Sequence, residues 1–354
     1  MKRWRVGIVG AGAIGTRRAR VAQAHPETSV VLIADSVAEK AEKLATEVGA
    51  RSTTDWSIVT SDANVDVVIV ATPTDSHAPV TLAAFKNHKH VLCEKPLARE
   101  PREALRMVRA GDSAGLKLKT GFNHRHHPAI FKAHEMVLQD EIGRLLFARC
   151  LYGHGGRRGY ELEWRMQPRI SGGGELLDQG VHALDLFRWF LGDFQEVIGI
   201  RRTLFWPIGP VEDNAFAILQ SKDGCIAQLH ATWTQWKNRF SFEVYGEKGY
   251  LCVNGLGGSY GEEQLIIGRR REPGEVPHEE VMKFGGRDLS WEAEWNEFIE
   301  SLRSNKEPLA SGRDGYEALR LVHAIYRSSE LRRVVRIRAS RPTSERGAGE
   351  ESDR

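Results

Sequence analysis

Residues 5–15 read Arg-Val-Gly-Ile-Val-Gly-Ala-Gly-Ala-Ile-Gly, an apolar run that ends in glycines spaced as GxGxxG. Arg5 to Val9 has the character of a short buried strand, and Ala13 to about His25 that of a helix. Between a strand and a helix each glycine has a reason. Gly10 permits the tight turn, Gly12 lets the backbone approach a pyrophosphate, and Gly15 allows close helix-on-strand packing. The backbone through Gly10, Gly12, Ala13, Ile14 and Gly15 is therefore expected to meet phosphate at a helix amino terminus. A lone GxGxxG is weak in a chain with 35 glycines, so its setting matters. Val30 to Ala34 reads as the next strand, and Asp35 ends it 20 residues after Gly15. A carboxylate there binds the ribose hydroxyls of a dinucleotide. Asp35 repels a 2′-phosphate, and Ser36-Val37 supplies no arginine, so NAD is favoured over NADP.

Working outward, Val65 to Val70, His90 to Cys93 and Leu116 to Thr120 read as further strands. Helices fall between them, one over His77 to His88 and one opened by Pro101 and running to about Ala114. Alternating strands and helices mean a parallel sheet covered on both faces, which makes residues 1–122 a Rossmann domain. The pattern then changes. A helix near Pro128 to Gln139 and a strand over Leu145 to Tyr152 precede a helix from Glu175 to Leu191. Strand-like stretches follow at Glu196 to Leu204, Asn214 to Leu219, Ile226 to Thr234, Ser241 to Tyr245 and Tyr250 to Val253. Lys222-Asp223-Gly224 and Glu247-Lys248-Gly249 supply hairpin turns between them. Two late helices, about Trp291 to Ser304 and Gly315 to Glu330, end a second α/β domain over residues 123–340. Arg332, Arg333, Arg336 and Arg338 flank Val334, Val335 and Ile337 as an edge strand would. Residues 341–354 are polar and expected to be disordered.

A net charge of +3 on 354 residues, with acids and bases interspersed, argues against nucleic acid. No stretch approaches the roughly 18 to 20 apolar residues that span a bilayer. Met1-Lys2-Arg3-Trp4-Arg5 runs straight into a strand without an apolar signal core, and the four cysteines form no CxxC pair. A cytoplasmic location with reduced thiols is the expectation. His124, His126 and His127 tempt a metal reading but have no cysteine partner, so no metal is expected.

The chemistry centres on Glu94-Lys95-Pro96. Lys95 follows a parallel strand at its carboxyl end, where doubly wound folds bind ligands. An amine there can take a hydroxyl proton if burial or positive charge lowers its affinity for protons. On the helix over 175–191, Asp178, His182 and Asp185 fall at about 0°, 40° and −20°, one narrow polar stripe on an apolar cylinder. A buried ionisable stripe needs partners or a role. Either an Asp–His hydrogen bond holds the domain together, or His182 touches a reacting hydroxyl while Asp178 orients its neighbour. Gly172-Gly173-Gly174 before it would let a ligand approach the backbone.

Taken together, GIVGAGAIG (7–15), ATPTDSH (71–77), HVLCEKPLA (90–98), GFNHRHHPA (121–129) and GGGELLDQGVHALDL (172–186) resemble the Gfo/Idh/MocA oxidoreductases. The resemblance implies a Rossmann domain followed by an α/β domain with a large, mostly antiparallel open sheet. That sheet commonly makes the contact in homodimers or homotetramers. It implies Lys95, Asp178 and His182 as catalytic residues. Thr72, Pro73, His77, Glu94 and Lys95 would line the nicotinamide site. Asn123 and Arg125, at the junction of the domains, join Tyr160, Trp164, Arg165 and Trp236 as candidate contacts to a polyhydroxylated substrate. The implied activity is hydride transfer between NAD and a ring hydroxyl or ketone of a sugar, cyclitol or nucleotide sugar. Two alternatives stay open, an NAD-dependent glycoside hydrolase working by transient oxidation and a non-catalytic NAD-binding regulator.

Overall fold

The computed structural model describes residues 3–338 apart from residue 273; the polar stretch 341–354 lies outside them. Among the described residues the first half forms six strands and five helices. The strands are β1 (Trp4–Val9), β2 (Thr28–Ala34), β3 (Arg51–Thr53), β4 (Val67–Val70), β5 (His90–Cys93) and β6 (Leu118–Thr120). The helices are α1 (Ala13–Ala24), α2 (Ala38–Val48), α3 (Trp56–Ser61), α4 (His77–Lys86) and α5 (Pro101–Ala114). All strand pairs are parallel, in the order β3-β2-β1-β4-β5-β6. The order reverses between β1 and β4, and the loops leaving those two strands open a crevice there.

The apolar runs lack alternation because β1, β2, β4 and β5 each feed two cores. Val68 and Val70 of β4 join one cluster, while Val67 and Ile69 join the other with Val6 and Ile8. The second cluster is closed by Trp295, Phe298, Ile299 and Leu302. These belong to a helix near the end of the chain, which therefore returns to cover the first sheet.

The second half comprises α6 (Pro128–Leu138), β7 (Leu145–Gly153), α7 (Pro168–Ser171), α8 (Val181–Leu191), β8 (Phe194–Arg202), β9 (Asn214–Ser221) and β10 (Ile226–Thr232). It continues through β11 (Arg239–Gly246), β12 (Gly249–Asn254), β13 (Glu263–Arg269), β14 (His278–Phe284), α9 (Ser290–Ser304), α10 (Gly312–Leu331) and β15 (Val335–Arg336). The strands form one sheet, ordered β14-β13-β12-β11-β7-β10-β9-β8-β15. Its pairs are antiparallel except β7 with β10. One face is buried beneath helices. The other carries Ile198, Ile200, Phe216 and Ile218 about half exposed, which is the alternation of a sheet covered on one side.

Several elements differ from the sequence reading. β3, β13 and β14 were not expected. β3 is only three residues long, and β14 is an exposed edge strand whose His-Glu-Glu start hides its pairing to β13. The arginine-flanked stretch near 335 is the edge strand the sequence led one to expect, β15 on β8. The expected helix over 175–191 is not uniform. Leu176–Gly180 forms a π-helical turn before α8, so spacing at 100° per residue fails across it. No helix of the described residues is long and apolar enough to cross a membrane.

Candidate active site

The glycine loop follows the buried end of β1. A side chain on Gly15 would overlap the carbonyl of Gly10, and one on Gly10, at φ 101°, would overlap the carbonyl of Ala71. Gly12 is different, because a Cβ there meets nothing within 4 Å. Two glycines are thus required by the chain itself, and the third fronts open space at the start of α1, which has no side-chain cap. That arrangement fits a dinucleotide pyrophosphate approaching the helix amino terminus. Asp35 stands beside it, its Oδ2 accepting from the Ala11 N–H at 2.7 Å and its Oδ1 from the Val37 N–H at 2.9 Å.

Across the crevice lie the loops after β4 and β5. The nitrogens of His77 lie 2.9 and 3.0 Å from the carbonyl oxygens of Pro96 and Thr72, tying one loop to the other. His77 is almost wholly buried, so it braces the Thr72–Pro73 loop from behind, which speaks against its reading as a cofactor contact. Glu94 is likewise turned inward. Its Oε1 accepts from Arg18 Nε at 2.7 Å, and Arg18 also pairs with the buried Glu294 of α9. Arg18 sits on α1 in a buried stripe with Gly15, Ala19 and Ala22. The triad ties α1 and α9 to the end of β5. Sequence reasoning missed it, although an arginine on an apolar helical stripe was a signal.

Lys95 turns the other way, into the crevice, with a cis bond to Pro96. Its Nζ donates to Asp178 Oδ1 at 2.9 Å and to the Asp178 carbonyl oxygen. Arg165 reaches the other carboxylate oxygen at 3.6 Å while lying over the Trp164 ring. Burial alone would raise the Asp178 pKa, but Lys95 and Arg165 outweigh it and hold the group at about 2. One helical turn on, His182 is buried, and burial first and Lys95 second push its pKa well below the ordinary value. The structure thus gathers Lys95, Asp178, His182, Trp164 and Arg165 near one another.

Of the other candidates, Tyr160 lies within electrostatic reach of Asp178 and Arg165, and the rest make their contacts elsewhere. Arg125 is buried between Asp185, at 2.6 and 2.8 Å, and Asp314, at 3.2 Å, and lies over the Trp189 ring. Its Nε and Nη2 are committed to acids inside the protein, which speaks against its reading as a substrate contact. Asp185 is the third member of the expected stripe, and seven residues on from Asp178 it meets Arg125 instead of Lys95. Asn123 Nδ2 donates to Ser290 Oγ at 2.9 Å, again an internal contact. Tyr160 is buried in a small core with Met166, Ile208, Val211 and Trp233, its hydroxyl 3.4 Å from His154 Nε2. Trp236 is exposed and meets Phe205 edge-on at 4.9 Å. The glycines 172–174 also serve the chain. A side chain on Gly173 would overlap the Tyr326 hydroxyl, and one on Gly174 would overlap the Glu212 carbonyl.

Glu175 was not singled out in the sequence. It is fully buried with at most a weak approach from the Thr232 backbone to its carboxylate, and burial first and Asp178 second raise its pKa well above the ordinary value. Among the described residues no cluster of three or more His, Cys, Asp and Glu could hold a metal ion.

A parallel sheet with a glycine loop at its switch point, joined to a second domain whose helical turn delivers an acid to a lysine, has the architecture of a nucleotide-dependent oxidoreductase. The chain belongs to the Gfo/Idh/MocA family: residues 4–122 match its oxidoreductase family model with NAD-binding Rossmann fold, and residues 130–252 match a carboxyl-terminal domain model. The 1,5-anhydro-D-fructose reductase of Ensifer adhaerens is 34% identical over 254 residues, covering 71% of this chain and 75% of that one. The myo-inositol 2-dehydrogenase of Thermotoga maritima is 28% identical over 344 residues, covering 94% and 98%. A levoglucosan dehydrogenase solved with NADH and levoglucosan superposes with a TM-score of 0.89 at 25% identity, covering 95% of this chain and all of that one.

Proposed function

We propose that this chain moves a hydride between nicotinamide and a secondary carbon of a sugar or cyclitol ring, with Lys95 handling the hydroxyl proton. The observation that carries this reading is the 2.9 Å contact of Lys95 with Asp178, beside buried His182. Residues 1–122 hold the cofactor on this reading, and residues 123–340 the substrate. NAD, when bound, supplies the hydride acceptor or donor. The loop through Gly10, Gly12, Ala13, Ile14 and Gly15 holds its phosphates, Asp35 its ribose, and Thr72 and Pro73 its nicotinamide end. Asp35 favours NAD over NADP by repelling a 2′-phosphate.

Lys95 takes the hydroxyl proton during oxidation and returns it during reduction. Ionised Asp178 holds Lys95 Nζ in place and accepts from a neighbouring hydroxyl of the ring. Uncharged His182 offers a ring nitrogen to the reacting oxygen. Trp164 and Arg165 present an apolar face and a forked donor, a combination suited to rings with apolar faces and polar rims. The relatives named above carry ring polyols in their names, which supports that substrate class. The half-exposed isoleucines and Phe216 on the open sheet support a homo-oligomer formed through that face.

A screen of NAD reduction across inositols, hexoses and UDP-sugars tests the reading, with NADH absorbance on one polyol as the expected result. Cleavage of a nitrophenyl glycoside without net NADH would replace it with the hydrolase. NAD binding with no turnover of any compound would leave the regulator.

A further inference from the structure

His124 lies beside the site, and its ring stacks on that of His182 with centroids 3.8 Å apart and planes 21° from parallel. Phe122 meets His182 edge-on at 5.7 Å, while Tyr152 at 5.3 Å and Phe240 at 5.8 Å wall His124. Neither histidine can turn freely between these rings.

A chain of hydrogen bonds sets the protons. Ser290 Oγ donates to Asp288 Oδ1 at 2.6 Å, and Asn123 Nδ2 donates to Ser290 Oγ at 2.9 Å. The Asn123 amide oxygen is left facing His124 Nδ1 at 3.3 Å. An amide oxygen only accepts, so Nδ1 of His124 carries the proton and Nε2, sealed in without a partner, is bare. Nδ1 of His182 is also sealed without a partner. Orphaned buried N–H groups are rarer than orphaned acceptors, which puts the His182 proton on Nε2, the nitrogen left for a ligand. A second proton on either ring would bury an orphan N–H and a charge against the other ring. The titratable and charged groups facing the pair are Lys95 after β5, Arg18 of α1, Tyr152 of β7 and His127, whose Nδ1 meets Glu263 Oε2 of β13 at 2.9 Å.

We propose, resting on the role given to His182 above, that His124 is a positioning residue. Its stacked ring holds His182 in one plane and one neutral tautomer, so that Nε2–H meets the reacting oxygen as a hydrogen-bond donor. Burial acts in the same direction, lowering both imidazole pKa values well below the ordinary one.

Ring-nitrogen NMR of histidine-labelled protein without cofactor or substrate tests this directly. The expected spectrum has His182 neutral, with its proton on Nε2, from about pH 8 to about pH 5, across the ordinary histidine value near 6.5. His124→Ala removes the wall and admits water to Nδ1. His182 then titrates, kcat falls about tenfold or more with KM little changed, and kcat/KM gains an acidic limb. His124→Phe restores a flat ring without nitrogens and rescues both the tautomer and the pH profile. The proposal is overturned if wild-type His182 carries its proton on Nδ1 or titrates near 6.5, or if His124→Ala leaves tautomer and pH profile unchanged. It is equally overturned if folded His124→Phe, still binding NADH, behaves as the alanine variant does. The spectra need no substrate, so failure to oxidise any polyol would sink the reaction reading and leave the tautomer to be decided separately.

Discussion

Lys95 Nζ lies 2.9 Å from Asp178 Oδ1, although 83 residues separate the two in the chain. Lys95 leaves the last turn of a parallel strand, and Asp178 sits in a π turn of the other half, so the contact exists only when both halves are folded together. The two cations at Asp178 outweigh the cost of burying it, and the carboxylate stays ionised wherever the protein is folded and near neutral pH.

If Lys95 moves the proton, Lys95→Met lowers turnover at least about a hundredfold, the usual cost of losing a general acid–base group. NADH binding, measured by titration, stays within a few-fold. Equal turnover would remove Lys95 from the mechanism.

Asp178 gives an acid limit with a definite sign. Its folded pKa is about 2, against an ordinary 3.8, so as pH falls the unfolded chain binds the proton first. The stabilisation is present above about pH 4 and is lost as pH falls toward about 2. Asp178→Asn should flatten this part of the stability profile, measured by denaturation at several pH values. An unchanged slope would mean that the ion pair with Lys95 contributes nothing.

Glu175 has the opposite sign. Burial raises its pKa, so above about pH 4.3 the unfolded chain releases a proton that the folded chain keeps, and stability falls as pH rises. Glu175→Gln should therefore raise the melting temperature at pH 8 and leave it unchanged at pH 4. A lower melting temperature at pH 8 would show an ionised, paired Glu175.

Arg125 is expected to matter for stability. Replacing it with Met leaves Asp185 buried without its partner, which costs about 3–5 kcal/mol in chemical denaturation. A raised KM with undiminished stability would restore its reading as a substrate contact.

On the proposed reading Asp35 sets the cofactor preference, and its carboxylate also holds the glycine loop through Ala11. Asp35→Ala should weaken NAD and relax discrimination against NADP in binding titrations. An unchanged preference would contradict the assignment.

The parallel sheet was legible because both-face burial leaves continuous apolar runs such as Val67–Val70, and the glycine spacing marks where the first strand turns. Gly15 is dictated by the Gly10 carbonyl five residues back, and Gly10 by Ala71 at the end of the neighbouring strand, so only the fingerprint spacing made both legible. β14 was not legible, since an exposed edge strand buries too little to leave a pattern. Nor was the return of α9 to the first sheet, because its apolar face names no partner.

The sequence by itself determined the elements whose residues meet neighbours near in the chain or at a regular period: the Rossmann strands, the glycine turn, Asp35 at its strand end and Lys95 at its own. Tertiary structure decided which polar groups face the crevice and which face inward. Asp178 and Asp185 read as one stripe, yet the first meets Lys95 and the second Arg125. The physical reason is that a buried charge is stable only against a partner, and the partners here come from distant segments that no local spacing can identify.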